Sequence, residues 1–484
     1  MTISTIAFDN SYARDLPGFY VSCGPTPVVA PKLVVFNEPL ADALGLGGAF
    51  TDRQQAARLL SGVEIPAGAS PIAQAYAGHQ FGGFSPQLGD GRAILLGEII
   101  APDGGRYDLQ LKGSGPTPFA RRGDGRAALG PMLREYLISE AMAALGVPTT
   151  RSLAVVATGE PVYRQTALPG AVLTRVAASH IRVGTFQFFA ARGETDRVRH
   201  LADYTIARHY PEVAAAPNPY RAFLESVCAR QAALVARWLQ VGFIHGVMNT
   251  DNVAICGETI DYGPCAFMDA YDPRTVFSSI DEQGRYAYGN QPALMGWNLS
   301  RFAETLLPLI DADETRAIAS ATEVLEGFGE LFERNWLAGM FSKIGIKHHT
   351  AADRPLVDDL LTAMQEGQAD FTLTFRALAQ HLWGKAGALP QSERFAAWLT
   401  RWHARLADQD AIETATAMDA VNPLYIPRNH HVEDALQAAE LGDISPFTEL
   451  LQVLKTPFTP QAGADAYAGA RPEGLPRYRT FCGT

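Results

Sequence analysis

The sequence predicts an α+β protein of two lobes, strand-rich first and mainly helical second, with an extension at each end. Three observations carry that expectation. Residues 71–180 contain apolar runs that alternate with polar residues around Gly- and Asp-rich turns, the period of strands. After about residue 180 apolar residues recur at helical spacing over long stretches such as YRAFLESVCARQAALVARWLQVG and WNLSRFAETLLPLI. The 484 residues, at roughly 150 per domain, suffice for about three units or for two lobes with extensions.

Taken in order, residues 1–70 read as an N-terminal extension of short apolar runs, with one small helix in EPLADALGLG that stops at glycine. Residues 71–180 form the first lobe. There GRAILLGEII and RYDLQLKG alternate around a PDGG turn and predict a hairpin, and GPMLREYLISEAMAALG predicts a helix over 130–146, with Pro near its first turn and Gly at its end. Two β-type runs, SLAVVATG and PVYR, precede a third, GAVLTRVA. Residues 181–440 form the helical lobe, interrupted by the loop-rich block 245–292, and residues 441–484 form a tail ending in the Pro-, Gly- and Arg-rich GARPEGLPRYRTFCGT. No internal repeat is present.

Composition narrows the function. A formal charge of -11, from 40 Lys and Arg against 51 Asp and Glu, argues against a dedicated nucleic-acid binder, yet a nucleotide needs only a local cluster of cations. The opening MTISTIAFDNSYARDLPGF lacks a basic stretch leading into an apolar one, and no run of about 18 apolar residues occurs. A soluble, cytoplasmic protein without a membrane partner is expected. Cys23, Cys228, Cys256, Cys265 and Cys482 are odd in number and lack zinc-type spacing, which suits a reducing compartment. Between Lys32 and Lys343 the sole lysine is Lys112, at the end of an alternating strand and before glycine.

That lysine opens the chemistry. Glu135 lies on the predicted helix 23 residues later, and a strand Lys held by a helix Glu is how protein kinases aim an ammonium at nucleotide phosphates; a surface ion pair is the bland alternative. Ahead of it, QLGDGRAILLGEI sets Gly89 and Gly91 around Asp90 and before Arg92. Such glycines permit close backbone approach, and exposed amides there can cradle phosphate, although Gly-Asp-Gly is also an ordinary hairpin turn. The loop GSGPTPFARRGDGRAALGP repeats the pattern with Asp124 and Gly125, and Arg121, Arg122 and Arg126 offer fork-shaped donors. Arg175 in VLTRVA and Arg182 in SHIRVG need anionic partners if buried, either carboxylate or phosphate.

The most specific block is GFIHGVMNTDNVAICGETIDYGPCAFMDAYDP, residues 242–273. It reads as a helix end running into His245-Gly246, then Asn249, Asp251 and Asn252, then a short hairpin of VAIC and IDYG around GET, then Asp261-Tyr262-Gly263. Kinases use an Asp to position a hydroxyl, an Asn for metal, and the Asp of an Asp-Phe-Gly motif for the metal that bridges phosphates. Oxygen donors from Asn252 and Asp261 suit Mg²⁺. The block departs from a standard kinase, because with His245 on the kinase histidine the catalytic Asp position falls on Val247. Asp251 would then have to be the carboxylate that assists chemistry, and ordinary phosphorylation of a protein hydroxyl is in doubt.

These blocks resemble the selenoprotein O family of kinase-like proteins. The resemblance runs through YAGHQFGGFSPQLGDGRAILLGE, DLQLKGSGPTPFARRGDGRAALGPMLREYLISEAM, SHIRVGTFQFF, HGVMNTDN, DYGPCAFMDAYDP and GRYAYGNQP. It implies a protein-kinase-like two-lobed fold and protein adenylylation, with ATP flipped relative to kinases so that AMP passes to a Ser, Thr or Tyr hydroxyl of a protein, redox-related proteins among the acceptors, and self-modification included. Mg²⁺ would be the cofactor, with Mn²⁺ as its substitute. It further implies that Gly89, Gly91, Arg92, Lys112, Asp124, Gly125, Arg175, Arg182 and Asp261 surround the nucleotide, that Asp251 accepts the proton, that Asn252 and Asp261 hold metal, and that Glu135 orients Lys112. Cys482 matches the position of selenocysteine in some animal members. Some relatives pair it with a cysteine after the Asp-Phe-Gly-like motif, where this chain has Phe277; Cys265 is the remaining substitute. UMP transfer from UTP and phosphotransfer to a small molecule are the rival activities, and a nucleotide-sensing scaffold is the rival without activity.

Overall fold

The computed structural model describes residues 6–385, 387 and 389–481. In chain order the strands are β1 (Tyr20–Ser22), β2 (Lys32–Phe36), β3 (Ile72–Gln74), β4 (Gly78–Gln80), β5 (Gly83–Ser85), β6 (Ala93–Ile100), β7 (Arg106–Lys112), β8 (Ala127–Ala128), β9 (Arg151–Tyr163), β10 (Ala167–Ala177), β11 (Phe243–Ile244) and β12 (Ala266–Phe267). Eight of them make one sheet in the order β1-β3-β6-β7-β10-β9-β2, with β8 on β10. Every pairing in it is antiparallel. The PDGG turn does join a hairpin, β6–β7, in which Ala93 faces Lys112 and Ile100 faces Arg106. SLAVVATG and PVYR, expected as two runs, are one continuous strand, β9. Gly159 is accommodated within it at a positive φ of 75°.

Both faces of the sheet are covered, so its central strands are buried nearly throughout and lose the clean alternation of a half-exposed sheet. On one face Leu96, Leu109, Leu111, Val156 and Val172 pack with Leu40, Phe50 and Leu60 from the first seventy residues. That segment also supplies β1 and β2, the two ends of the sheet. On the other face Leu95, Val155 and Leu173 meet Leu133 and Leu137 of the helix Leu129–Ala144. Leu133 and Leu137 are fully buried, and truncating either to Ala removes about 2–5 kcal/mol of stability. This helix is buried on nearly every side because the helices Asn429–Glu440 and Ser445–Leu454 cover its far side, with Tyr136 and Phe447 rings 6.2 Å apart.

From Val183 onward the described chain is mainly helical, including Val183–Ala190, Pro219–Gln240 and Gln291–Ile310. Asn218 caps the second of these by accepting from the Arg221 N–H, and Pro219 follows at its first position. The protein is thus a mixed α/β molecule with a sheet region and a helical region. No described helix is long and apolar enough to cross a membrane. In the block 245–292 the expected hairpin of VAIC and IDYG does not form. Ala254 instead bridges Arg182, and Thr259 bridges Thr149. Gly257 turns the chain at φ 83°, but each flank finds its backbone partner elsewhere.

Candidate active site

Strand geometry assembles the first wall of the site. Asp108, Gln110 and Lys112 are two apart on β7 and share a face, and β10 sets Arg175 directly opposite Gln110. The Gln110 carbonyl oxygen accepts from Arg175 Nη2 at 2.6 Å and Nε at 3.2 Å, while its amide donates to Asp90 at 3.2 Å. The helix behind contributes Glu135, which accepts from Lys112 Nζ at 2.6 Å and from Arg175 Nη1 at 3.2 Å. All three charged groups are buried, where unpaired ions would be costly.

Asp261 enters from the other side, at a left-handed φ of 66°. Its Oδ1 accepts from Lys112 Nζ at 2.6 Å and Arg175 Nη1 at 2.8 Å, and its Oδ2 lies 3.4 Å from Arg182 Nη1. Burial alone would raise this carboxyl, but Lys112, Arg175 and Arg182 overcome it and hold it well below the usual carboxylate range. Arg182 begins the helix Val183–Ala190. Its guanidinium lies over the Tyr76 ring at 4.6 Å, donates to the Asp251 carbonyl at 2.9 Å, and approaches Asp90 at 3.8 Å.

Asp251 sits in the 3₁₀ turn Thr250–Asn252, with its Oδ1 buried and without a hydrogen-bond partner. Burial raises its carboxyl to about 6, Arg182 opposing in part. The turn is clamped. The Thr250 hydroxyl accepts from the His79 N–H at 2.7 Å, and Asn249 Oδ1 accepts from the Tyr286 hydroxyl at 2.7 Å and the Phe81 N–H at 3.2 Å. His245, 2.9 Å from the Ile260 carbonyl through Nε2, must donate there, which ties the start of the block to the residue before Asp261. Burial lowers the pKa of this imidazole and keeps it neutral.

Gly89, Gly91, Arg92, Lys112, Asp124, Gly125, Arg175, Arg182, Asp251, Asn252 and Asp261 all line one cavity of about 590 Å³. Glu135 stands behind Lys112, and Cys482 lies outside the described residues. Two expectations about how these residues act need correction. The amides of Gly89, Asp90 and Gly91 donate to Tyr76, Gln74 and Gly89 carbonyls, so they are not open phosphate donors. The turn needs glycine for a different reason: a Cβ at Gly89, where φ is 72°, would stand 2.3 Å from the Phe119 ring. Arg126 donates to the carbonyls of Thr26 and Pro27, and Asp124 is held by Arg164 at 2.8 Å, so this pair braces the loop. Cys265 is fully buried, directs its thiol to the Tyr262 carbonyl at 3.4 Å, and is pushed by burial up to about 11.

The sequence reading missed Tyr76, Gln110, Arg164 and the hairpin β4–β5, which puts Gln80 and Phe81 on the cavity. Gln110 left a trace, a buried-strand amide two residues before the lone lysine. Tyr76 left none.

Among the described residues no group of three or more His, Cys, Asp or Glu side chains could hold a divalent ion unaided. A hard cation that keeps several waters and binds substrate phosphate needs only one or two protein oxygens. Asn252 lines the cavity and donates its amide to the Val247 carbonyl at 3.1 Å, so its oxygen is the atom of that side chain suited to a cation. With the Asp261 carboxylate it makes a set that fits such an ion.

A buried cation wall facing two carboxylates of opposite acidity marks an enzyme that handles a phosphate-bearing substrate. Comparison with known proteins gives its class. The family model described as protein adenylyltransferase SelO matches residues 2–455. A protein nucleotidyltransferase YdiU of Cereibacter sphaeroides is 60% identical over 485 residues, covering 99% of this chain and 100% of the relative. Another, from Rhizobium johnstonii, is 59% identical over 487 residues, covering 99% and 97%. The chain belongs to the SelO family and is a nucleotidyltransferase.

Proposed function

We propose that the protein transfers AMP from ATP to Ser, Thr or Tyr hydroxyls of proteins, itself included, releasing pyrophosphate, in a protein-kinase-like two-lobed arrangement. The observation that carries this reading is the convergence of Lys112, Arg175 and Arg182 on Asp261 in the cavity that also holds Asp251, whose pKa burial raises to about 6. These cations now neutralise Asp261 and Glu135. When nucleotide enters, its β- and γ-phosphates share these cations with the two carboxylates, and the same cations stabilise the charge that develops on departing pyrophosphate. The acceptor hydroxyl oxygen bonds to the α-phosphorus, the bond from that phosphorus to the bridging oxygen breaks, and the hydroxyl proton passes to Asp251. A base with a pKa near 6 is matched to proton transfer close to neutrality. Mg²⁺, with Mn²⁺ as its substitute, would be held by Asn252 and Asp261 and supplies charge neutralisation between phosphates.

The test is incubation of the protein with ATP labelled at the α or the γ position, and in parallel with α-labelled UTP. The reading expects acceptor protein to retain the α label of ATP and to lose the γ label. Retention of the γ label would mean phosphotransfer instead, and preference for UTP would replace AMP by UMP. Modification of proteins that reside in the cytoplasm is the expected cellular readout.

A further inference from the structure

The hairpin β4–β5 turns through Phe81 and Gly82, both at positive φ, 50° and 87°. A phenylalanine in that conformation is strained, and strain of this kind persists where surrounding structure holds it. The hairpin is held: its Phe81 and His79 amides bond to Asn249 and Thr250, and Gly78 fits so closely that a Cβ there would lie 2.6 Å from Asp251 Oδ1. Yet Phe81 and Phe84 remain 42% exposed, and Ile280, across the same cavity, is 54% exposed. An apolar rim is therefore fixed to the turn that carries Asp251, where burying it inside would have been cheaper for folding alone.

Beside this rim stands a cation without a counter-ion. Arg285 lies 4.9 Å over the Trp297 ring and its Nε meets no acceptor. Neighbouring Arg301 is taken by Glu304 at 2.6 Å, whereas Arg285 makes no ion pair among the described residues. Phe81 packs on Tyr286, next in sequence to Arg285, with rings 5.2 Å apart, so the apolar and cationic features adjoin.

We infer that Phe81, Ile280 and Arg285 form the docking surface for the acceptor protein, taking an extended segment whose hydroxyl residue is flanked by an apolar side chain and a carboxylate. The inference rests on the transfer reading above. An extended segment is required because Asp251 is recessed, so the hydroxyl must reach inward past the rim. A carboxylate is required by complementarity: a guanidinium without a carboxylate partner, already resting on an indole, gains a charge-assisted bond at little further desolvation cost.

The experiment uses a library of Ser, Thr and Tyr peptides with Glu, Lys, Phe or Ala fixed beside the acceptor, labelled from α-labelled ATP. The wild-type protein is expected to favour Glu and Phe flanks. Arg285→Glu should lower labelling of Glu-flanked peptides by about tenfold and raise that of Lys-flanked ones, while the Kd for a non-hydrolysable ATP analogue stays unchanged. Phe81→Ala should raise KM several-fold more for Phe-flanked peptides than for Ala-flanked ones. Labelled peptides whose flank preference is the same in Arg285→Glu as in wild type would overturn the docking surface alone, as would a Phe81→Ala defect confined to nucleotide affinity. A wild-type protein that labels no acceptor from ATP would overturn the transfer reading beneath it.

Discussion

The sheet-built wall of the cavity and the turn Thr250–Asn252 border the same space, and they govern a carboxylate in opposite ways. Against the wall, Asp261 meets Lys112, Arg175 and Arg182 and stays ionised. In the turn, Asp251 is equally removed from water, but its one cationic neighbour, Arg182, gives its closest bond to the Asp251 main-chain carbonyl, and the acid rises to about 6. Burial is common to both, so the number of cations facing the carboxylate oxygens decides the outcome. The difference divides the labour: a permanent anion suits metal and cation organisation, and an acid that titrates near neutrality suits proton transfer.

Breaking the turn side should have the largest effect. Asp251→Asn removes the proposed proton acceptor without adding bulk, and a drop in transfer rate of about 10²–10⁴ is expected, with nucleotide affinity retained in a binding titration. Breaking the wall side should appear first in stability. Glu135→Ala leaves Lys112 and Arg175 with Asp261 alone as a charged partner, and removal of one member of a buried ion cluster costs about 3–5 kcal/mol, readable by denaturant unfolding. A subtler perturbation shifts Asp251 without removing it. Gly78→Ala places a methyl group 2.6 Å from Asp251 Oδ1, which should lower kcat by about tenfold and leave the unfolding midpoint nearly unmoved.

How much of this was legible beforehand differs between the two regions as well. The wall was largely readable: a lone lysine at a strand end, a glutamate on the next helix and an arginine in an apolar strand each look out of place locally, and the sheet brings them together. The turn was readable in its residues and not in its supports. Phe81 and Tyr286 reach Asn249 at the head of the turn, and Tyr76 lies under Arg182, all from segments far apart in sequence, and no local pattern encodes such contacts. The misread hairpin at 253–262 has the same origin, since a short apolar run around a glycine turn specifies extended backbone without naming its partner strand. The phosphate-cradling role expected of Gly89 and Gly91 failed because backbone amides leave no trace in sequence of where they donate.

The effects of pH need no substitution, and those on stability are the smallest. Below about 6, Asp251 is protonated and kcat/KM should fall about tenfold per unit. Stability follows linkage. The folded pKa of Asp251 lies above its ordinary 3.8, so its contribution is full below 3.8 and is lost as pH rises toward 6. That of Asp261, lowered from 3.8, is present above 3.8 and lost as pH falls below it. In Asp251→Asn the decline between these values should flatten.

The claim that one cavity shifts two carboxylates in opposite directions is tested most directly by NMR titration of carboxyl-labelled aspartates, assigned with Asp251→Asn and Asp261→Asn. The expected result is a resonance with a midpoint near 6 that vanishes in Asp251→Asn, and another, lost in Asp261→Asn, that remains ionised below the usual carboxylate range. Two resonances that titrate together at the ordinary aspartate value would contradict it.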